Sequence, residues 1–367
     1  MKLFLIMTPA QLLNAIVLSE TTFKNEKCDA YMTSNLKEFV QKVKDSEVFH
    51  KIYPYELVPD LFDRNNVIKR GFVRVKNALD LTYIKHNLPS DPFQYDTVLA
   101  SGISLRNYEV YYAIKSFNRE TIISLYEEGI CEYYHLMEKS LSKKIFSYVF
   151  FHSYYLEDCK QLYVYEPSVV ESKWKNISID SIPKFIYIPE LMSKLTDIFG
   201  IDKGINELIK NKILFLESSF YDEKKEEVQM IIIKQLIEVF GRDNVLVKLH
   251  PRSSDNKYDS DIITISTPIP LEMIIAHLDD NIALVSLTSS AIINPKLMLD
   301  KEPLVVCLNQ LDKTNLSEAD YVFDRVAALY EERRFYIPKT MKQLREVLKI
   351  VNNQISVNES RRAASFD

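Results

Sequence analysis

The sequence predicts an α/β fold with two parallel-sheet domains, and three observations support this. First, short apolar segments alternate with longer amphipathic segments along nearly the whole chain. Second, segments such as residues 224–240 and 340–351 repeat apolar side chains at helical spacing. Third, the chain has 367 residues, which exceeds what one hydrophobic core usually holds. Because alternating strands and helices form parallel sheets covered by helices, we expect two Rossmann-like domains.

The apolar segments have the length and composition of buried strands. In chain order they are residues 3–7, 30–33, 97–100, 121–125, 161–165, 185–188, 213–216, 245–249, 262–265, 283–286 and 304–308. The first ends at Thr8-Pro9, where proline cannot continue a strand ladder. It resembles the start of a secretion signal, but its apolar run is short and no small-residue cleavage site follows closely. This favours a buried first strand.

A shift in composition between residues 157 and 210 predicts the domain junction. This stretch contains Pro167, Pro183 and Pro189, and its hydrophobic periodicity is weak. We therefore expect a first domain over residues 1–160, a junction over 161–210 and a second domain over 211–359, followed by a polar, flexible tail over 360–367. Two Rossmann-like domains of similar size that face a central cleft form a GT-B-like architecture.

Composition disfavours several classes of protein. A net charge of −5 disfavours a general nucleic-acid-binding protein, which usually carries a basic excess. The six glycines cannot form GxGxxG or GxxxxGK[ST], and we expect no cofactor. The four scattered cysteines, together with the lack of metal-ligand spacings, predict a reducing compartment and no metal site. No apolar run reaches the roughly 18 residues that a membrane span needs, so we expect a cytoplasmic protein.

An aromatic stretch over residues 145–155, preceded by Lys143 and Lys144, has two interpretations. It is either a helix packed in the core or in an oligomer interface, such as a homodimer, or an interfacial helix that rests on the inner face of the membrane. Tyrosines suit both environments because their rings are amphipathic.

Acidic and amide side chains follow two predicted strands of the first domain. Glu127-Glu128-Gly129 comes after the strand at 121–125, and paired carboxylates at a strand end suit proton transfer because repulsion raises one pKa. A solvated acidic turn is the alternative. After the first strand, Gln11 and Asn14 lie three residues apart on one helix face, where they can contact a substrate in the cleft.

Cationic side chains follow the strand at 245–249 in the second domain. Lys248, His250 and Arg252 surround Pro251, which ends the strand. Ligands of open α/β sheets bind beyond the carboxyl ends of strands, and these cations suit a phosphate. His250 can donate a proton or a hydrogen bond to a departing phosphate. A histidine bonded to the backbone is the alternative.

Further polar residues follow other strands of this domain. Thr288, Ser289 and Ser290 begin a predicted helix and can act as an anion site or simply as an N-cap. Glu272, in the first turn of another helix, can accept hydrogen bonds from a ribose diol or oppose the helix dipole. Asp222 is a second candidate acid, because it follows the first strand of the domain.

The order of these motifs resembles the bacterial sialyltransferases. TPAQ at 8–11, EEG at 127–129, HP at 250–251 and SSA at 289–291 occur in the order found there. The resemblance covers residues 1 to about 348. It is greatest to glycosyltransferase family 52, the lipooligosaccharide and capsule sialyltransferases, with polysialyltransferases as more distant relatives. It implies a GT-B fold, a CMP-sialic acid donor, inversion at the anomeric carbon and no metal requirement.

The resemblance also implies roles for individual residues. Glu127 or Glu128 matches the general base, with Glu127 preferred, and Asp222 is the alternative base of lipooligosaccharide-type relatives. The remaining matches concern the donor. They are His250 for the leaving group, Pro251 for the turn, Ser289 and Ser290 for the phosphate, and Glu272 for the ribose.

The expected function is transfer of sialic acid to a galactose-type hydroxyl of a bacterial surface glycan, either capsule or lipooligosaccharide. A related nonulosonic acid, a Kdo-type sugar or a hexose is the alternative donor sugar. A non-catalytic glycan-binding protein on the same fold is a third possibility. The acceptor and the linkage stay open at the level of sequence.

Overall fold

The structure is a computed structural model with two compact units. It describes residues 1–55, 91, 94–101, 105–134, 148, 155–171, 177–210, 212–218, 223–250, 253, 258, 262–278, 281–311 and 317–363. The first unit comprises Met1–Pro183 and Ser193–Ile198, and the second comprises Lys184–Met192 and Phe199–Asp367.

The first unit contains a seven-stranded parallel sheet with the order β3-β2-β1-β4-β5-β6-β7. The strands are β1 (Lys2–Ile6), β2 (Cys28–Thr33), β3 (Lys51–Tyr55), β4 (Thr97–Ala100), β5 (Ile122–Tyr126), β6 (Cys159–Val164) and β7 (Ser178–Ser181). Among the described residues up to Phe199, the helices are α1 (Pro9–Glu20), α2 (Lys37–Asp45), α3 (Leu105–Phe117), α4 (Tyr155–Asp158) and α5 (Pro189–Phe199). The strand order reverses between β1 and β4, and ligands of such sheets bind at the carboxyl ends of the strands that flank the reversal.

The second unit contains a six-stranded parallel sheet with the order β10-β9-β8-β11-β12-β13. The strands are β8 (Ile213–Leu216), β9 (Val245–Lys248), β10 (Ile263–Ile265), β11 (Ala283–Ser286), β12 (Leu304–Cys307) and β13 (Phe335–Tyr336). In the part of the chain after Phe199 that the structure describes, the helices are α6 (Lys203–Ile209), α7 (Glu223–Phe240), α8 (Leu271–Ala276), α9 (Asn294–Leu299), α10 (Ser317–Ala327) and α11 (Met341–Ala363). Numbered from β8, this is the 3-2-1-4-5-6 order of dinucleotide-binding folds, with its reversal between β8 and β11.

The central strands of the second unit are buried on both faces, as parallel strands covered by helices must be. Phe215 of β8 is completely buried, and burying a side chain of this kind contributes about 1.5–3 kcal/mol. Leu344, Leu348 and Val351 of α11 pack into the same core at helical spacing. The alternation of apolar strands with amphipathic helices therefore specifies this sheet. Its carboxyl edge carries Lys248, His250 and the hydroxyl residues at 288–290.

The predicted fold class is confirmed, since both units are parallel α/β sheets. β6 and β7 complete the first sheet, and the chain passes between the units at residues 183–184, 192–193 and 198–199, inside the stretch predicted as the junction. Within the predicted strand at 185–188, Phe185–Tyr187 forms a 3-10 helix instead. Pro189 then occupies the first position of α5, which proline favours.

Three strands lacked a clear sequence pattern. β3 contains a proline and lies at the edge of its sheet, β7 is largely polar, and β13 has two residues. The expected tail from residue 360 begins as the last turn of α11, and residues 364–367 lie outside the described residues.

Most of the aromatic stretch at 145–155 also lies outside the described residues. Within the described part of the chain, no helix has the length and apolar character needed to cross a membrane.

Candidate active site

The turn after β1 prepares one half of the candidate site. Thr8 has extended backbone angles and caps α1, its hydroxyl accepting a hydrogen bond from the Gln11 amide at 3.2 Å. Pro9 follows at the first helical position, where its missing N–H costs nothing. The Gln11 side-chain oxygen accepts a hydrogen bond from the Met7 amide at 2.6 Å, which leaves its NH₂ group for another partner.

That NH₂ group binds the carboxylate of Glu128. Gln11 Nε2 donates to Glu128 Oε2 at 2.6 Å, and Thr8 Oγ1 donates to Glu128 Oε1 at 2.7 Å. Ser101, directly after β4, donates to Oε2 at 3.1 Å. The carboxylate is thus held by groups from the carboxyl ends of β1 and β4, the two strands that flank the reversal of the first sheet.

This arrangement suits a general base. An ionised carboxylate offers about four lone-pair sites, and the hydrogen bonds from Thr8, Gln11 and Ser101 occupy three of them. Glu128 is partly exposed, so about one site remains for an incoming hydroxyl. The hydrogen bonds also fix the orientation of the carboxylate.

Glu127 has the opposite environment. It is 1% exposed, and its Oε2 accepts hydrogen bonds from the Tyr133 hydroxyl at 2.5 Å and from the Tyr165 amide at 2.8 Å. Burial and the charge of Glu127 raise the pKa of Tyr133 well above its usual range, so Tyr133 stays a donor. Glu127, the base preferred from the family resemblance, is therefore buried, whereas Glu128 is partly exposed.

Gln11 and Asn14, which were predicted to contact a substrate, are both buried in the structure. Gln11 is 2% exposed and Asn14 is 1% exposed. Asn14 donates to the backbone oxygen of Glu127 at 2.6 Å and accepts a hydrogen bond from the Tyr165 hydroxyl at 2.9 Å. Each residue therefore positions one glutamate of the EEG motif.

The second unit places its candidate residues at the carboxyl ends of β9 and β11, on either side of β8. Lys248 is the last residue of β9, and burial lowers its pKa while the charge of Glu272 opposes this shift. His250, two residues later, is partly exposed, and its backbone amide donates to Glu217 at 2.7 Å. The imidazole thus lies near the end of a central strand, where the sequence predicted it.

The hydroxyl residues after β11 form a turn and not the start of a long helix. Ser290–Ile292 is a 3-10 helix, and the six-residue α9 follows. Within the turn, the Ser289 amide donates to Ser286 Oγ at 3.0 Å. Thr288, Ser289 and Ser290 are all partly exposed, so their side chains are accessible to a ligand.

Glu272 lies in the first turn of α8 as expected, but it is 4% exposed. Its Oε1 accepts a hydrogen bond from Asn294 Nδ2 at 2.6 Å. The carboxylate is thus engaged by another buried side chain. Asp222, Pro251 and Arg252 lie outside the described residues.

Four residues that hold these groups were not predicted from the sequence, namely Ser101, Tyr133, Tyr165 and Glu217. Ser101 and Glu217 each follow a strand directly, so the strand-end rule that selected Glu127 and His250 could have found them. Tyr133 and Tyr165 had no such signal, because their role depends on tertiary contacts with Glu127.

Among the described residues, no group of three or more histidine, cysteine, aspartate or glutamate side chains could hold a metal ion.

Comparison with solved structures shows a GT-B-like fold. The kitacinnamycin glycotransferase has a TM-score of 0.52 at 9% identity, with 100% of this chain and 97% of that chain covered. The spinosyn rhamnosyltransferase SpnG, complexed with thymidine diphosphate, has a TM-score of 0.50 at 9% identity, with 97% and 91% covered. The S. aureus MnaA–UDP co-structure has a TM-score of 0.50 at 10% identity, with 100% and 97% covered.

Comparison by sequence identifies the family. No curated protein matches the chain significantly. The family described as alpha-2,8-polysialyltransferase matches residues 2–307, a range that includes the EEG, HP and SSA motifs. Most of both units lies within this match, and the chain belongs to the alpha-2,8-polysialyltransferase family.

Proposed function

We propose that the protein is an inverting, metal-independent sialyltransferase that uses CMP-sialic acid as donor. Membership of the alpha-2,8-polysialyltransferase family supports the transfer of sialic acid. The observation that carries the proposal is the binding of Glu128 by Thr8, Gln11 and Ser101, which unites the TPAQ and EEG motifs around one partly exposed carboxylate.

In this mechanism Glu128 is the general base, in place of Glu127. It removes the proton of the acceptor hydroxyl as the hydroxyl oxygen attacks the anomeric carbon of the donor. The new carbon–oxygen bond forms on the face opposite CMP, and the bond between the anomeric carbon and the phosphate oxygen breaks. The configuration is therefore inverted. The transition state of this displacement resembles an oxocarbenium ion, as in glycosyl transfer generally.

The residues of the second unit serve the departing CMP. His250 donates a proton or a hydrogen bond to the phosphate, and Lys248 offsets its negative charge. The hydroxyls of Ser289 and Ser290 donate further hydrogen bonds. These groups together meet the charge on a nucleoside monophosphate, so the proposal requires no metal ion. Glu272 remains the proposed ribose contact, its carboxylate accepting hydrogen bonds from the ribose hydroxyls as well as from Asn294.

The acceptor has two candidates. The resemblance to family 52 implies a galactose terminus of lipooligosaccharide or capsule. The family description names an alpha-2,8-polysialyltransferase, which favours a sialic acid terminus. The same base serves both, because each offers a hydroxyl for attack.

The test is an assay of CMP release from CMP-sialic acid in EDTA, with a galactose-terminated or a sialic acid-terminated oligosaccharide as acceptor. We expect release with one of them, and NMR of the product reports linkage and anomeric configuration. No release with either acceptor, and no slow donor hydrolysis, would count against a sialyltransferase. Activity with CMP-Kdo or a nucleotide hexose instead would select the alternative donors.

The substitution His250→Ala distinguishes an enzyme from a non-catalytic glycan-binding protein. An enzyme is expected to lose about 10²–10⁴-fold in kcat. A binding protein without turnover would keep the glycan affinity of the wild type.

A further inference from the structure

Glu217 is a buried carboxylate at the end of the central strand of the second unit. It follows β8 directly and is 4% exposed. Its backbone amide donates to the Lys248 oxygen at 3.0 Å, which extends the pairing of β8 with β9. Since an isolated buried charge is costly, such a carboxylate must be hydrogen-bonded within the protein.

The hydrogen bonds of Glu217 come from the segment that carries His250. Glu217 Oε2 accepts from the His250 amide at 2.7 Å and from Ser253 Oγ at 2.7 Å. Tyr258 is 7% exposed, and its pKa is raised by burial, by the charge of Glu217 and by a hydrogen bond to Glu217. Three positions of the segment from 250 to 258 are therefore tied to one carboxylate.

We propose that Glu217 is the positioning residue for His250. It binds the backbone amide of His250 and the side chain of Ser253, so it fixes the backbone position from which the imidazole projects. The catalytic task of His250 rests on the proposed function above, whereas its positioning by Glu217 does not. Glu217 is not proposed as a base, because its carboxylate is buried and bound to protein donors.

Loss of the carboxylate frees the backbone at His250 to move. A displacement of about 1 Å in a catalytic group can reduce the rate about 10²-fold. Replacement by glutamine should matter far less, because the amide oxygen of glutamine can accept the same hydrogen bonds from His250 and Ser253. The comparison of alanine with glutamine at position 217 thus separates geometry from charge.

The experiment measures CMP release by the wild type, Glu217→Ala, Glu217→Gln and a control, Glu302→Ala. Glu302 belongs to the same unit, and its carboxylate binds Lys296 and the Glu331 amide. We expect kcat to fall by about 30–100-fold in Glu217→Ala and to stay within about threefold of wild type in Glu217→Gln and Glu302→Ala.

A second readout needs no ligand. The ring-proton NMR signals of His250, assigned with His250→Gln, report its environment and its titration. We expect the His250 signal to shift in Glu217→Ala and to return towards its wild-type position in Glu217→Gln. If no variant and no wild type releases CMP but this pattern holds, the sialyltransferase proposal fails while the positioning role stands.

Two outcomes overturn the positioning role. One is a Glu217→Ala variant with wild-type rate and an unshifted His250 signal. The other is a Glu217→Gln variant as inactive as Glu217→Ala with His250 unshifted in both, which would assign the carboxylate a chemical task. If Glu217→Ala does not fold, Ser253→Ala removes one of the hydrogen bonds to Oε2. It should then give a smaller shift of His250 and a smaller loss of rate, and the absence of both would contradict the proposal.

Discussion

The side-chain amide of Gln11 donates a hydrogen bond to the carboxylate of Glu128 at 2.6 Å, across 117 residues of sequence. This bond joins the start of the first helix to the turn after β5. It also connects the TPAQ motif to the EEG motif, so a substitution in the first motif should change the activity that depends on the second.

The two glutamates of the EEG motif should respond differently to loss of charge. We expect Glu128→Gln to lower kcat by about 10²–10⁴-fold, because a proposed base is removed. Glu127→Gln keeps an oxygen that can accept from Tyr133 and Tyr165, so kcat should change by less than about tenfold. Steady-state assays on both folded variants make the comparison. A larger loss of kcat in Glu127→Gln than in Glu128→Gln would indicate that the buried Glu127 is the base.

The interaction between Tyr133 and Glu127 should contribute to stability. Tyr133→Phe removes a hydroxyl that donates to Glu127 and accepts from the Glu166 amide. Hydrogen bonds to charged groups contribute about 1.5–3 kcal/mol, so we expect the free energy of unfolding to fall by about 2–3 kcal/mol. Urea denaturation followed by circular dichroism measures it.

The control for that experiment is Tyr321→Phe, at a tyrosine that is 37% exposed and contacts Arg325. It should change the free energy of unfolding by less than about 0.5 kcal/mol. Equal effects of the two substitutions would show that the buried hydroxyl of Tyr133 contributes no more to the free energy of unfolding than an exposed one.

Gln11 should affect turnover without affecting donor binding. Gln11→Ala removes a hydrogen bond to Glu128 and leaves the second unit, with Lys248 and His250, unchanged. We expect kcat to fall about tenfold, equivalent to about 1.4 kcal/mol, with CMP affinity within about twofold of wild type by calorimetry. Gln41→Ala, which removes an exposed contact with Asp45, is the control. If Gln11→Ala weakened CMP binding as much as it lowered kcat, the role of Gln11 in holding Glu128 would be contradicted.

We expect Lys248 to lower the stability of the fold and to strengthen the binding of phosphate. Burial lowers its pKa below the usual 10.5, so the unfolded chain holds the proton more tightly than the folded chain. Stability therefore rises with pH between the lowered folded pKa and about 10.5. We expect Lys248→Met to raise the free energy of unfolding near pH 7, and this gain should shrink as the pH approaches about 10.5.

The same substitution should weaken CMP binding by about 10–100-fold, because a charged hydrogen bond is lost. Urea denaturation near pH 7 and near pH 10, together with calorimetry, tests both effects. Lys349→Met, at an exposed lysine of α11, is the control and should change neither quantity appreciably. A Lys248→Met variant that is less stable than the wild type and binds CMP with full affinity would contradict both expectations.

The sequence alone determined the fold class and the strand ends at which the motifs lie. Apolar periodicity is a local property, so β1, β5, β8, β9 and β11 could be predicted within a residue or two. The edge strand β7 could not, because it is polar and is a strand only through its pairing with β6.

Tertiary structure alone decided which glutamate is exposed. Glu127 and Glu128 are adjacent and chemically identical, so no pattern in the sequence separates them. Tyr133 and Tyr165 bind Glu127, whereas Thr8, Gln11 and Ser101 bind Glu128. These partners come from distant parts of the chain, and only the packing of the sheet assigns each to its glutamate.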